Sequence, residues 1–177
     1  MSRASVLVSG EWAEANLNTP GVVFVDVDED ASAYGAGHIP GAVKLDWMDL
    51  RGPTRRDLSV TKWFELLLSA SGIANNDTIV LYGGSGNRIA AYAHWCFKLH
   101  GHEDVRLLAG GREKWETDGR PLTAEAVSRR PTKYASTDED ASMRAFRDEV
   151  LSGIETTCGD ARSLEEIVAE TRQRQIG

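Results

Sequence analysis

The sequence predicts an α/β fold with a central, mostly parallel sheet of about five strands and helices on both faces. Three observations carry that expectation. Val22-Val23-Phe24-Val25 and Thr78-Ile79-Val80-Leu81-Tyr82 are continuous apolar runs rich in β-formers, which suits strands covered on both faces. Segments at helical spacing alternate with these and other short apolar runs. The second run passes through a glycine-rich loop into a helix start, as happens at the carboxyl edge of a parallel sheet, where ligands bind.

Taken in order, Val6-Leu7-Val8 reads as a short strand, and Ser9 caps a helix running to about Leu17. Pro20-Gly21 turns the chain into the first buried strand, which ends in the acidic stretch Asp26-Val27-Asp28-Glu29-Asp30. Residues 32–37 are short and glycine-broken, and Pro40-Gly41 is a turn leading to a brief strand at Val43-Lys44-Leu45. Residues 51–59 are polar and read as loop. Thr61 is placed as the cap of a helix to about Ser71, with Trp63, Phe64, Leu66, Leu67 and Leu68 on its apolar face and Gly72 closing it. The helix after the glycine-rich loop lasts to about Leu99, with Gly101 as its stop. Val105-Arg106-Leu107-Leu108 is the last strand, and a short helix over residues 112–118 carries Trp115.

Composition narrows the function classes. Twenty basic against 27 acidic residues give a net charge of −7, and no basic patch with interleaved aromatics is present, which argues against a nucleic-acid surface. No apolar run has membrane-spanning length, and the first residues lack a secretory signal pattern. Two cysteines, Cys96 and Cys158, make no disulfide framework, so a soluble protein of a reducing, cytoplasmic compartment is expected.

The candidate site is the loop Gly83-Gly84-Ser85-Gly86-Asn87-Arg88. Backbone N–H groups converge at such a strand–loop–helix junction, so it holds an anion or stabilises an anionic nucleophile. All six residues are therefore candidates for binding a small oxyanion, with Arg88 able to add charge. Asp26, Asp28, Glu29 and Asp30 lie on the same rim, yet their spacing lacks the features of a calcium loop, and no metal or cofactor is expected. Cys96 reads as a small buried hydrophobe within a helix, and Cys158 as a structural thiol. His38 reads as part of its turn, hydrogen-bonded locally, and His94, His100 and His102 form no ligand set with the cysteines. Trp12, Trp63, Trp95 and Trp115 read as core.

Beyond residue 122 the chain changes character. Residues 123–153 read as a polar linker followed by a helix over residues 142–152. Residues 154–177 read as the start of an incomplete second unit, because Asp160 and its neighbours resemble the stretch around Asp26. Apolar residues such as Ile154 and Leu164 would then lack a partner, making self-association an expectation.

Three motifs together resemble the rhodanese family of thiosulfate sulfurtransferases: Tyr34-x-x-x-His38-Ile39-Pro40-Gly41-Ala42, residues 79–88, and Leu107-Leu108-Ala109-Gly110-Gly111-x-x-x-Trp115-x-x-x-Gly119-x-Pro121. The resemblance covers residues 6–122 and implies a rhodanese-like sheet. It further implies transfer of the outer sulfur of thiosulfate, through a cysteine persulfide, to cyanide or another thiophile. In that family the cysteine opens a loop close to C-x-x-G-x-R. Here Gly86 and Arg88 match, and Gly83 falls on the cysteine. The resemblance therefore implies the cysteine-less N-terminal domain of a tandem member, inactive alone and supporting an active second domain across a shared pocket. A stand-alone module binding an oxyanion or a partner protein is the alternative. A rhodanese-like phosphatase is disfavoured, since it also needs a loop cysteine.

Overall fold

In the computed structural model the described residues are 6–30, 32–52 and 60–137. The chain divides into residues 1–140 and 141–177, so the expected helix at 142–152 and the second unit at 154–177 lie outside the described residues. Cys158 lies there too.

The elements are β1 (Leu7–Val8), α1 (Gly10–Ala15), β2 (Val22–Asp26), α2 (Ala33–Ala36), β3 (Val43–Lys44), α3 (Val60–Ala70), β4 (Thr78–Tyr82), α4 (Arg88–Leu99), β5 (Val105–Leu108) and α5 (Gly111–Thr117). Short 3₁₀ turns stand at Asp49–Arg51 and Ser85–Asn87. The five strands form one parallel sheet in the order β1-β5-β4-β2-β3. After β2 the chain moves outward to β3, then returns to the other side of β2 as β4. The switch point therefore falls between β2 and β4, and their carboxyl ends are where a parallel sheet opens a crevice.

The two continuous apolar runs are the two central strands, and their side chains separate by parity. Val23, Val25, Ile79 and Leu81 face one core, shared with Phe64 and Leu68 of α3 and with Ala90, Ala93, Cys96 and Phe97 of α4. Phe24, Val80 and Tyr82 face the other, shared with Ala13 of α1 and Trp115 of α5. The pairings Val23↔Ile79 and Val25↔Leu81 keep each face in register. Both faces are thus covered, which is why neither run alternates with polar residues.

Local chemistry sets most ends as read. The Ser9 side chain accepts from Trp12 N at 3.2 Å and starts α1. Gly72 and Gly101 have positive φ, at 71° and 80°, where only glycine is unstrained. Four readings change. Thr61 lies inside α3, which already begins at Val60. Leu66 is about half exposed and does not join the core, since the buried stripe of α3 runs through Phe64 and Leu68. The glycine-broken segment after Ser32 still closes one helical turn, α2. Among the tryptophans, Trp115 is buried in full, while Trp12 and Trp95 only flank the cores.

The largest difference concerns residues 123–137, which dock as an extended strap. Thr132 N donates to Ser69 O at 2.9 Å, Tyr134 N to Ser69 Oγ at 3.0 Å, and Ser136 N to Glu65 Oε1 at 3.0 Å. Tyr134 enters the core beside Phe64, and its hydroxyl meets His102 Nδ1 at 2.9 Å. The other ring nitrogen of His102 meets Asp77 O at 2.8 Å, so this nitrogen donates and Nδ1 accepts from the phenol. One buried tyrosine in a polar stretch ties the strap down.

Burial holds His94 and His102 below their ordinary value of 6.5. A depressed histidine contributes stability that is complete above 6.5 and is lost as pH falls toward its folded value. Urea unfolding is expected to show stability declining from about pH 7 to about pH 5, and His102→Gln to flatten that decline.

Candidate functional site

At the switch point the chain brings together the end of β2, the loop after β4, and the start of α5. Asp26 is the last residue of β2 and is 1% exposed. Val27 N donates to Tyr82 O at 2.9 Å, which carries the strand pairing to the lip of the loop. Beyond it, Asp28 reaches across to Gly84, whose N–H donates to Asp28 Oδ2 at 2.7 Å. The acidic stretch and the glycine-rich loop therefore share one rim, as expected, and they touch.

The loop turns by three consecutive residues with positive φ: Ser85 at 49°, Gly86 at 66° and Asn87 at 64°. Asn87 is the residue that holds it. Its Oδ1 accepts from Gly83 N at 3.1 Å, and its Nδ2 donates to Leu108 O at 2.6 Å at the end of β5. Asn87 was expected as an anion ligand and instead spends its amide on the loop and the next strand. Arg88 is exposed and pairs with Glu29 at 2.5 Å, an ion pair in solvent.

Gly83, the first residue of the loop, is buried. A Cβ there would stand 2.2 Å from Val27 O and 3.2 Å from Val27 C. The obstacle is backbone rather than the end of a flexible side chain, so a Cβ there requires the main chain to shift. The absence of a cysteine is thus built into the packing as well as the sequence.

Sequence reasoning missed Arg112, which stood at a variable position of the glycine–tryptophan motif. It is 8% exposed and donates to the Asp26 carboxylate and to Gly37 O. Its guanidinium lies 5.6 Å from the Tyr82 ring centroid, and its backbone N–H donates to Gly83 O at 3.0 Å. The Tyr82 hydroxyl accepts from Ile39 N at 3.0 Å. Burial pushes the Asp26 carboxyl up while the Arg112 charge pulls it down, and burial dominates. Burial and the Asp26 charge hold the Tyr82 phenol well above its ordinary value, as a neutral hydrogen-bonding group. The one sequence signal for Arg112 was a lone arginine at the start of a short helix after Gly110-Gly111.

His38 sits as read: its Nδ1 meets Tyr34 O at 2.8 Å, and the two rings stack at 3.7 Å. Cys96 is buried. Among the described residues no group of three or more His, Cys, Asp or Glu side chains is placed to hold a metal ion. Also among them, no helix is long and apolar enough to cross a membrane. Beside the loop lies an open hollow of about 530 Å³, lined by Glu29, Trp47, Arg51, Arg88, Ile89 and Tyr92.

A five-stranded parallel sheet with this order carries a strand–loop–helix cradle at its switch point, the architecture of a ligand-binding α/β domain. The chain belongs to the rhodanese family: the rhodanese-like domain model matches residues 9–118. It is 58% identical over 168 residues to a protein of Mycolicibacterium smegmatis described as a "putative thiosulfate sulfurtransferase", covering 94% of this chain and 61% of that one. A protein of Saccharopolyspora erythraea with the same description is 61% identical over 155 residues, or 87% of this chain and 55% of that one. The sulfur carrier protein TtuD of Thermus thermophilus is 49% identical over 150 residues, 84% of this chain and 53% of that one. The chain thus spans between 53 and 61% of these relatives' lengths. Among solved structures, SseA of Escherichia coli superposes with a TM-score of 0.74 at 23% identity, over 86% of this chain and 63% of that one, a likeness of fold.

Two outcomes follow from the packing. Arg112→Met leaves the Asp26 carboxylate buried without its partner and is expected to cost about 3–5 kcal/mol. In denaturant titrations the double variant with Asp26→Asn should cost less than the sum of the singles. Gly83→Cys overpacks against Val27 and is expected to lose about 1–3 kcal/mol, with no thiosulfate:cyanide sulfurtransferase activity in a thiocyanate assay.

Proposed function

We propose that this chain serves sulfur transfer as a cysteine-less rhodanese unit that works beside a persulfide-carrying unit, itself performing no turnover. The observation that carries the reading is Gly83: it stands where the family's nucleophile stands, and Val27 O lies 2.2 Å from where a side chain would begin. The reaction needs a thiolate to attack the outer sulfur of thiosulfate, forming a persulfide and releasing sulfite, before a thiophile removes that sulfur. Among the described residues the cysteine is Cys96, buried inside α4 and away from the loop as one of the sheet-facing residues of its helix.

What the unit supplies is architecture. Its loop is rigidly tied by Asn87, and its rim offers the hollow lined by Trp47, Tyr92, Arg51 and Arg88. We assign that hollow as one wall of a shared pocket, with thiosulfate the class of substrate. The relatives' descriptions and their greater length support a second rhodanese unit as the partner, in cis or from another copy. The cysteine-less loop and the resemblance of the Asp160 segment to the Asp26 segment support an N-terminal placement. The two cysteines, which make no disulfide framework, support a reducing, cytoplasmic setting. The alternative, a loop that captures an oxyanion unaided, meets a specific obstacle, since the Gly84 N–H is already bonded to Asp28.

Intact-mass spectrometry after incubation with thiosulfate and removal of excess reagent tests the reading. The expected result is an unchanged mass. Addition of one sulfur atom to Cys96 or Cys158 would overturn it.

A further inference from the structure

The loop has a tenant. Gly84 N–H donates to Asp28 Oδ2 at 2.7 Å, and the same oxygen lies 3.8 Å from Arg112 Nε. The other oxygen, Oδ1, accepts from Asp30 N at 3.3 Å. Arg112 Nε is buried and has no hydrogen-bond partner, although the other two nitrogens of the same guanidinium donate to Asp26 and Gly37 O. This buried guanidinium N–H has no hydrogen-bond acceptor, and its anionic neighbour is Asp28 Oδ2, too far at 3.8 Å to accept from it. A backbone N–H and a buried guanidinium converging on one oxygen are the parts of an oxyanion site.

The sequence adds an independent observation. Aligning Asp26-Val27-Asp28 with Asp160-Ala161-Arg162 sets an arginine of the repeated segment against Asp28. At this single position the charge changes sign between the two copies. An arginine there would add attraction for an anion at the loop, whereas Asp28 both repels one and fills its place.

We propose that Asp28 is the specificity-determining residue of this loop: its carboxylate stands in for a bound tetrahedral oxyanion and closes a latent sulfate-class site formed by Gly84 N–H and Arg112. The proposal rests on the silent-unit reading only in taking this loop as the counterpart of a persulfide loop. It explains how the cradle keeps its frame without a ligand, because the internal carboxylate satisfies the amide that an anion would otherwise satisfy. It also explains why restoring a thiol at Gly83 would not restore the site: the anion position would still be filled by charge of the wrong sign.

The test compares the wild-type chain with Asp28→Ser, Asp28→Ala and Asp28→Asn. Asp28 lies on an irregular rim segment outside the sheet, and circular dichroism identifies the variants that keep the fold. Thermal unfolding is followed in sodium sulfate and in sodium chloride of equal ionic strength. Asp28→Ser and Asp28→Ala vacate the position, and sulfate at about five times its dissociation constant should shift their unfolding equilibrium roughly sixfold, which raises Tm by about 2–4 °C. The wild type should show no sulfate-specific rise. Asp28→Asn, which keeps the shape of the plug without its charge, should stay flat as well. In sulfate titrations followed by NMR, the Gly84 amide resonance should move in Asp28→Ser and not in the wild type. A folded Asp28→Ser with no sulfate-specific rise and an unmoved Gly84 amide, or an equal rise in all four proteins, overturns the proposal. Persulfide formation needs a thiol and is read by mass without sulfate, so this idea and the silent-unit reading fail separately.

Discussion

The buried pair of Asp26 and Arg112 is the interaction on which this end of the molecule depends. Asp26 closes β2 and Arg112 opens α5, 86 residues apart, at the place where the sheet's strand order reverses. One guanidinium joins the end of β2, the turn at Gly37 and the face of Tyr82, while its own backbone N–H fixes Gly83. A buried ion pair is a poor source of net stability, because removing both charges from water costs about what their attraction returns. Its effect here is to specify geometry. Any arrangement that separated the two groups would leave a charge stranded beside Tyr82, so the relative placement of β2, β4 and α5 is tightly set.

From that fixed frame the loop inherits its character. A persulfide loop needs space at the first position, free N–H groups and a local field that favours an anion. In this chain the backbone of Val27 fills the space, side chains of Asn87 and Asp28 take the Gly83 and Gly84 N–H groups, and acidic residues line the rim. These features are neighbours: Val27 O faces Gly83, and Asp28, the next residue, reaches Gly84. Arg88, which sequence reading weighed as an anion ligand, pairs in solvent with Glu29.

The strap over residues 123–137 shows a different kind of dependence. Its composition is that of a connector, and most of its residues are exposed. Tyr134 overrides that composition by entering the core formed by Phe64 and Phe97 and by giving its hydroxyl to His102. A buried phenol is acceptable only with a partner, and His102 is itself oriented by Asp77 O. A two-link hydrogen-bonded chain therefore ties the strap to the core well past the proline and glycine signals near residue 121.

What the sequence determined by itself was everything governed by neighbours along the chain. The apolar runs at Val22 and Thr78, the Ser9 cap, the glycine stops at 72 and 101 and the His38 turn all express local propensity and residue chemistry. The tertiary structure alone decided what rests on distant approach: Arg112 on Asp26, Asp28 on Gly84 across 56 residues, Val27 O over Gly83, and Tyr134 on His102. A sequence carries the types of those residues but not their separations. Whether a carboxylate is solvated or fills an anion site depends on a few ångströms set by packing that many remote side chains share.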